Sequence, residues 1–334
     1  MRYSQAEKME IIRMVEGSDL PVKRTLEELQ VNRSSFYEWY RKYREGGYDA
    51  LALKPPQPKR FWNRIPEPEK EQVVAIALEH PEQSPRQLAW FITDTQGYFI
   101  SESSVYRILK SYDLVPSPQY IVMAAADRFH QPTTRVHELW QTDFTYFRIV
   151  GWGWYYLGSI LDDFSRYIIA WKLFTTMATT DVKEILDLAV ERTGVEEIEV
   201  KHRPRLLSDN GPAYISNDLR DYLAERGMTQ THGAPYHPMT QGKIERYHRS
   251  MKNEINLQKY YLPWELEQEL ERFVTYYNNK RYHESLNNVT PADVYYGRHQ
   301  EIISRRERLK RRTLKTRKLY NLSQSIAQST SYQK

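Results

Sequence analysis

The hydrophobic period changes once along this 334-residue chain, near residue 138, and that change limits the folds open to it. Upstream, apolar residues recur at the three-to-four spacing of amphipathic helices. Downstream, runs rich in aromatic and β-branched residues alternate with helical stretches. A helical bundle cannot accommodate the second pattern, and a β-sandwich cannot accommodate the first. The period change therefore predicts a multidomain α plus α/β protein, and the length suits two or three domains of about 150 residues.

The first 118 residues hold two trihelical patterns. In residues 1–50, Gln5–Glu16 carries Met9, Ile12 and Val15 at helical spacing and stops at Gly17. Pro21–Leu29 opens with a proline suited to a first turn. After Gln30-Val31-Asn32, a third helix over Arg33–Glu45 closes at Gly46-Gly47. That order is a helix-turn-helix, with Arg33, Ser34, Ser35, Tyr37 and Arg41 as candidates for DNA contact. A proline-rich linker spans 51–66. A second unit over 67–118 follows: Glu69–Glu79, then Ser84–Thr95 behind a Ser-Pro-Arg-Gln capping box, then Ser101–Lys110. Its candidates are Ser103, Ser104, Tyr106, Arg107 and Lys110. A plain three-helix bundle would show the same periodicity, but two such units in tandem favour DNA binding. Residues 119–137 read as a linker.

A core over 138–260 begins with strands at Trp140–Val150, Trp154–Asp162 and Arg166–Phe174, the first two joined through Gly151-Trp152-Gly153. A helix at Thr180–Arg192, a short strand at Arg205–Ser208, a helix at Ile215–Glu225 and a strand at Thr229–His232 complete a mixed sheet. Helices at 241–257 and 264–280 follow, the second within a helical extension over 261–297. Thr290 caps a last short helix.

Charge is unevenly placed. Residues 298–334 carry 11 Lys/Arg against Glu301 and Glu307, so the remaining 297 residues hold 37 bases and 41 acids. The net charge of +5 thus resides in a basic tail, expected to be a DNA-binding arm or a solvated segment, helical or disordered over Arg305–Lys318. The absence of cysteine excludes disulfides, a thiol nucleophile and thiolate zinc sites. Met1–Gln5 has no apolar signal region, and no run approaches the roughly 18 residues of a membrane span. A cytoplasmic, nucleoid-associated bacterial protein is expected, with no membrane partner.

Three acids have the placement that phosphoryl transfer requires. Asp143 sits within the first strand, where a carboxylate is costly unless paired or metal-bound. Asp209 ends the strand Arg205–Ser208 and precedes Asn210-Gly211-Pro212, at the strand's carboxyl end where ligands collect in open sheets. Glu245 lies on the following helix. At about 100° per residue, Ile244, Tyr247, Met251 and Ile255 share an apolar sector, while Glu245, Arg249 and Lys252 share a charged one. Arg249 and Lys252 could follow a phosphate backbone on the same side. Carboxylates suit Mg²⁺ or Mn²⁺, and two ions would serve an attacking and a leaving oxygen. Asp162 and Asp163 compete with Asp143 but lie at a turn. His232 and His237 lack a third ligand at zinc spacing. Trp152 and Trp154 flank the hairpin tip, where packing against the sheet is favoured over stacking on an unpaired base.

The segments Trp140-Gln141-Thr142-Asp143, Ser208-Asp209-Asn210-Gly211 and Gln241-Gly242-Lys243-Ile244-Glu245-Arg246 resemble the DDE triad of retroviral integrases and bacterial insertion-sequence transposases. Between Asp209 and Glu245 lie 35 residues, and Tyr277–Leu286 with Thr290-Pro291 resembles the segment closing the core in the insertion-sequence branch. The resemblance implies a ribonuclease-H-like mixed-sheet core behind the two helix-turn-helix units. It also implies catalysis and metal binding by Asp143, Asp209 and Glu245 with two Mg²⁺ or Mn²⁺ ions. The expected function is a DNA transposase that binds terminal inverted repeats, cleaves 3′ ends and joins them to target DNA. A homodimer or homotetramer would bring two DNA ends together. The chain departs from retroviral integrases in lacking a His/Cys zinc module. The alternatives are a catalytically silent helix-turn-helix regulator and a structure-selective nuclease of the same core fold.

Overall fold

The computed structural model describes residues 3–52, 62–114, 133–197, 199–232 and 242–331. The proline run at 54–58, residues 119–132 and the approach to the third acid at 235–241, with His237, lie outside the described residues. Residues 1–62 and 63–334 form two compact units.

The first unit contains α1 (Gln5–Glu16), α2 (Val22–Glu28) and α3 (Arg33–Gly46), closed by a 3-10 turn at Tyr48–Leu51. Ser4 caps α1 in a reciprocal box with Glu7, and the Asn32 side chain caps α3 by accepting from Ser34 N. Gln30 takes a positive φ of 53°, which turns the chain from α2 into α3. Met9, Ile12, Val15, Leu26, Val31, Phe36 and Leu51 pack into one small core. Lys8 is buried there because its ammonium donates to the Leu51 carbonyl and lies over Trp39.

The second unit begins with α4 (Glu67–Glu79), α5 (Pro85–Thr95) and α6 (Glu102–Ser111), another trihelical cluster around Val73, Leu88, Ile92, Ile100 and Val105. Ser84 and Gln87 form the expected capping box, and Ser101 caps α6. Among the described residues, β1 (Leu139–Ile149), β2 (Gly153–Asp162), β3 (Ile168–Phe174), β4 (Arg205–Ser208) and β5 (Thr229–His232) form one sheet in the order β3-β2-β1-β4-β5. The first three are antiparallel; β1, β4 and β5 run parallel. Gly151 and Gly153, at φ 83° and 96°, make the tight β1–β2 turn.

The alternation of β1 decides which layer each residue serves. Trp140 and Phe144 pack with α7 (Thr179–Thr193) and α8 (Asn217–Glu225), while Phe147 and Ile149 pack with α9 (Gly242–Ile255) and α10 (Pro263–Asn279). Ile244, Tyr247, Met251 and Ile255 are all buried in that second layer, as the angular reading of α9 required.

After α11 (Pro291–Tyr295), the basic tail folds as one helix, α12 (His299–Ser331), about 50 Å long. It is packed against the second trihelical cluster, so the free or disordered arm is not what forms. Arg306 donates to both Asp94 carboxylate oxygens, Arg317 to Glu69 and the Phe99 carbonyl, and Thr313 Oγ1 accepts from Phe99 N. Arg306 and Arg317 are each about 5% exposed. The remaining cations of α12, Arg305, Arg308, Lys310, Arg311, Arg312, Lys315 and Lys318, stay exposed. No helix among the described residues is long and apolar enough to cross a membrane.

Candidate active site

Asp143 lies within β1, and Asp209 lies one residue past the end of its parallel neighbour β4. The β1–β4 pairing ends at Gln141 opposite Leu207, and each aspartate lies two residues further on. With strands about 4.8 Å apart, this brings both aspartates to the carboxyl end of β4. Both raise the pKa of the Tyr214 hydroxyl, which burial already pushes well up. Tyr214 in turn lies 3.5 Å from Thr142 Oγ1, beside Asp143.

Each aspartate is held by its own loop or strand. Asp209 Oδ1 accepts from Gly211 N at 2.9 Å. A Cβ at position 211 would fall 3.0 Å from that same oxygen, so the glycine leaves the carboxylate its place. Asp143 Oδ1 accepts from Phe144 N at 2.8 Å, and its Oδ2 faces His248 Nδ1 at 3.4 Å.

The third acid is positioned through α9. Buried Gln141, two residues before Asp143 on the same strand face, accepts from Ile244 N at 3.1 Å and donates to Asp163 Oδ1 at 2.7 Å. Lys243 donates to Asp163 Oδ2 at 2.5 Å, with side chains 9% and 3% exposed. This buried network ties the first turn of α9, which carries Glu245, to β1. His248, one turn beyond Glu245, is the α9 residue that touches Asp143.

Asp162 and Asp163 are not open ligands. Asp162 accepts from His137 N, Ser165 N and Ser165 Oγ; Asp163 accepts from Thr133, Gln141 and Lys243. Burial raises both pKa values, and these donors act against the rise. Turn chemistry with Ser165 accounts for Asp162, whereas Asp163 is held by residues from β1, α9 and the segment before β1, and both are almost completely buried.

The donor set consists of hard carboxylate oxygens, which fits a divalent ion such as Mg²⁺. The Asp143 side chain is 24% exposed, and Asp209 and Glu245 are exposed. The three are not drawn into one cluster: among the described residues no three His, Cys, Asp or Glu side chains are gathered to hold a metal. The two aspartates offer such an ion oxygen ligands, and Glu245 stands on the neighbouring α9.

The positions proposed for DNA contact fall into three groups. On α3, Arg33, Ser34, Tyr37 and Arg41 are exposed, with the Arg33 guanidinium 5.6 Å from the Tyr37 ring centre, and Ser35 is half-buried. Ser34 Oγ donates to Asn32 and so serves the helix cap. On α6, Ser103, Arg107 and Lys110 are exposed, Ser104 is engaged with the cap residue Ser101, and Tyr106 lies beneath Lys110. Arg249 is exposed on α9, while the Lys252 ammonium sits 4.3 Å from the centre of the Tyr146 ring.

Sequence reasoning overlooked Gln141, Lys243 and His248. The available signal was the polar Gln141 inside a strand, on the same face as Asp143. The expectation for the hairpin tryptophans also needs correction. Trp152 and Trp154 are more than half exposed, and Trp154 makes only an edge contact with Tyr146 rather than packing into the sheet.

Comparison with known proteins bears on the domain organisation. Residues 133–238 and 226–291 each match an Integrase core domain, residues 7–59 a Helix-turn-helix domain and residues 35–109 a Homeodomain-like domain. The chain is 29% identical over 179 residues to the transposase for insertion sequence element IS629 of Shigella sonnei, covering 52% of this chain and 57% of that one. It is 28% identical over 185 residues to a putative IS986/IS6110 transposase of Mycobacterium tuberculosis, covering 52% and 63%. A stretch of 132 residues is 32% identical to the Gag-Pro-Pol polyprotein of mouse mammary tumor virus, covering 38% and 7%. The chain thus spans less than two thirds of the length of these relatives. Among solved structures, the HTLV-2 integrase catalytic core domain in complex with magnesium aligns with a TM-score of 0.38 at 18% identity, covering 48% of this chain and 97% of that one. The protein carries an integrase core domain behind N-terminal helix-turn-helix domains.

Proposed function

We propose that the protein is a DNA transposase that binds the terminal inverted repeats of a mobile element, cleaves at its 3′ ends and joins them to target DNA. The observation that carries this reading is the placement of Asp143 within β1 and of Asp209 just past its parallel neighbour β4, with α9 tied to β1 through Gln141. In the cleavage step water attacks phosphorus, the bond to the 3′ oxygen breaks, and that oxygen leaves protonated. In the joining step the new 3′-hydroxyl attacks a target phosphodiester and displaces the next 3′ oxygen, so no covalent protein intermediate forms.

Asp143 and Asp209 would hold divalent ions, Mg²⁺ or Mn²⁺ and two per site, with Glu245 completing the ligand set. Such ions supply positive charge to the attacking and leaving oxygens. His248 steadies the Asp143 carboxylate, and Gly211 N steadies that of Asp209. Arg249 and Lys252 lie one and two turns past Glu245, where they would bind the phosphates of the element end. The exposed arginines, lysines, serines and tyrosines of α3 and α6 would read the repeat. Two ends must be held together for paired joining, which implies a homodimer or homotetramer on DNA. A protein with these substrates acts in the cytoplasm of a bacterium, at the nucleoid.

The test uses DNA flanking the gene, labelled at its terminal repeats, with Mg²⁺ or Mn²⁺ and either wild-type protein or Glu245→Gln. Metal-dependent 3′ nicks at the repeat boundary together with joined products, absent in the variant, are expected. Specific binding with no product from either protein would overturn the reading in favour of a regulator.

A further inference from the structure

The rim of the sheet next to the three acids carries an aromatic pair that none of the roles above uses. Tyr146 and Trp154 are 54% and 52% exposed, with ring centres 5.3 Å apart at 82°. They are diagonal neighbours on one face of the β1–β2 ladder, since Tyr146 lies opposite Tyr156 and Arg148 opposite Trp154. Neither ring enters the cores on either side of the sheet. Tyr146 is three residues beyond Asp143, about 10 Å along the strand, and its side chain leaves the opposite face of β1. Lys252, seven residues after Glu245, holds its ammonium 4.3 Å from the centre of the Tyr146 ring.

The geometry points to a stacking platform for an unpaired nucleobase at the DNA end, beside the site of strand cleavage. A phosphate drawn to Lys252 brings its nucleoside against Tyr146 and Trp154. Every base has a π-face, so the platform requires no particular sequence. A paired base keeps its faces stacked within the duplex, so the platform selects one that has left it. Ten ångströms correspond to about three base steps, which places the platform within the terminal base pairs rather than in the repeat read by helix-turn-helix units. Holding a terminal base out of the duplex would favour opening of the end and free the strand to approach Asp143. This inference rests on the transposase reading but concerns a different step, end opening rather than phosphoryl transfer.

The first arm of the test involves no chemistry. Full-length Glu245→Gln protein is titrated into a duplex with a three-nucleotide single-stranded end carrying 2-aminopurine. Quenching of its fluorescence is expected, with loss of quenching in the added variants Trp154→Ala and Tyr146→Leu and retention in Trp154→Phe. Affinity for the fully paired duplex should be unchanged. The second arm compares cleavage of paired ends with cleavage of ends carrying two terminal mismatches. Trp154→Ala should lose about 5- to 150-fold on paired ends, the range of one stacked base, and recover on mismatched ends. Absence of quenching in the parent, equal quenching in the variants, or equal loss on both substrates would overturn the proposal. Quenching without cleavage products from wild-type protein would count against the transposase reading alone.

Discussion

Substitution of Asp94 by alanine should release α12 from the second helix-turn-helix cluster. Arg306 donates from Nε to Oδ1 at 2.9 Å and from Nη2 to Oδ2 at 2.6 Å, with the two side chains 6% and 15% exposed. Its guanidinium also lies 4.5 Å from the Trp90 ring centre and donates to the Asn288 carbonyl at 2.8 Å. Removing the carboxylate leaves a buried cation with the neutral Asn287 and Asn288 carbonyls as acceptors, a change that costs about 3–5 kcal/mol. At about 1.4 kcal/mol per factor of ten, the docking equilibrium should shift by roughly two to three and a half powers of ten. Amide hydrogen exchange over 302–324, together with thermal unfolding, measures this directly. Asp94→Ala should accelerate exchange along α12 and lower the unfolding midpoint. Arg306→Met should do less, because its chain still fills the trough and Asp94 can gain water. The double variant should cost less than the sum of the two. Unchanged exchange in Asp94→Ala, or strict additivity, would refute the view that this pair fastens the helix.

Other substitutions probe the site and its supports. Gly211→Ala should lower cleavage at least tenfold with little change in melting, because the new Cβ pushes on Asp209 Oδ1; kinetics and a melting curve on one preparation check this. Gln141→Leu leaves Ile244 N and Asp163 each short of a partner, at about 1–3 kcal/mol per group. Its melting midpoint should fall, with a larger fall in activity as α9, which carries Glu245, loses its tie to β1. The pKa of His137 is lowered to about 4, chiefly by burial and then by Arg135. A depressed histidine pKa contributes stability that is complete above about 6.5 and is lost as pH falls towards 4. Melting midpoints should therefore drop across that window, and less steeply in His137→Asn; parallel curves for the two proteins would contradict the assignment.

Much of this protein is legible in local sequence because the deciding interactions are local. The Ser84–Gln87 box, the Asn32 cap and the Gly151/Gly153 turn each satisfy their backbone groups within a few residues, so composition at the element ends announces them. The apolar sector of α9 is likewise a property of one helix, and its four residues are buried as the spacing requires. Asp143 stood out because a carboxylate inside an aromatic strand needs a reason.

The tertiary structure alone decided which polar groups meet. Asp163 looked like turn chemistry, yet it anchors Lys243, 80 residues away, and through Gln141 helps orient the helix bearing Glu245. The basic tail looked like an arm because charge runs usually remain solvated. Arg306 and Arg317 are instead buried, since Asp94 and Glu69, more than 200 residues earlier, supply the compensating charge. Helical periodicity could divide those cations into faces but could not say which face finds a partner. Pairing energy depends on distance and desolvation, and neither is set until the chain has brought α5, α4 and α12 together.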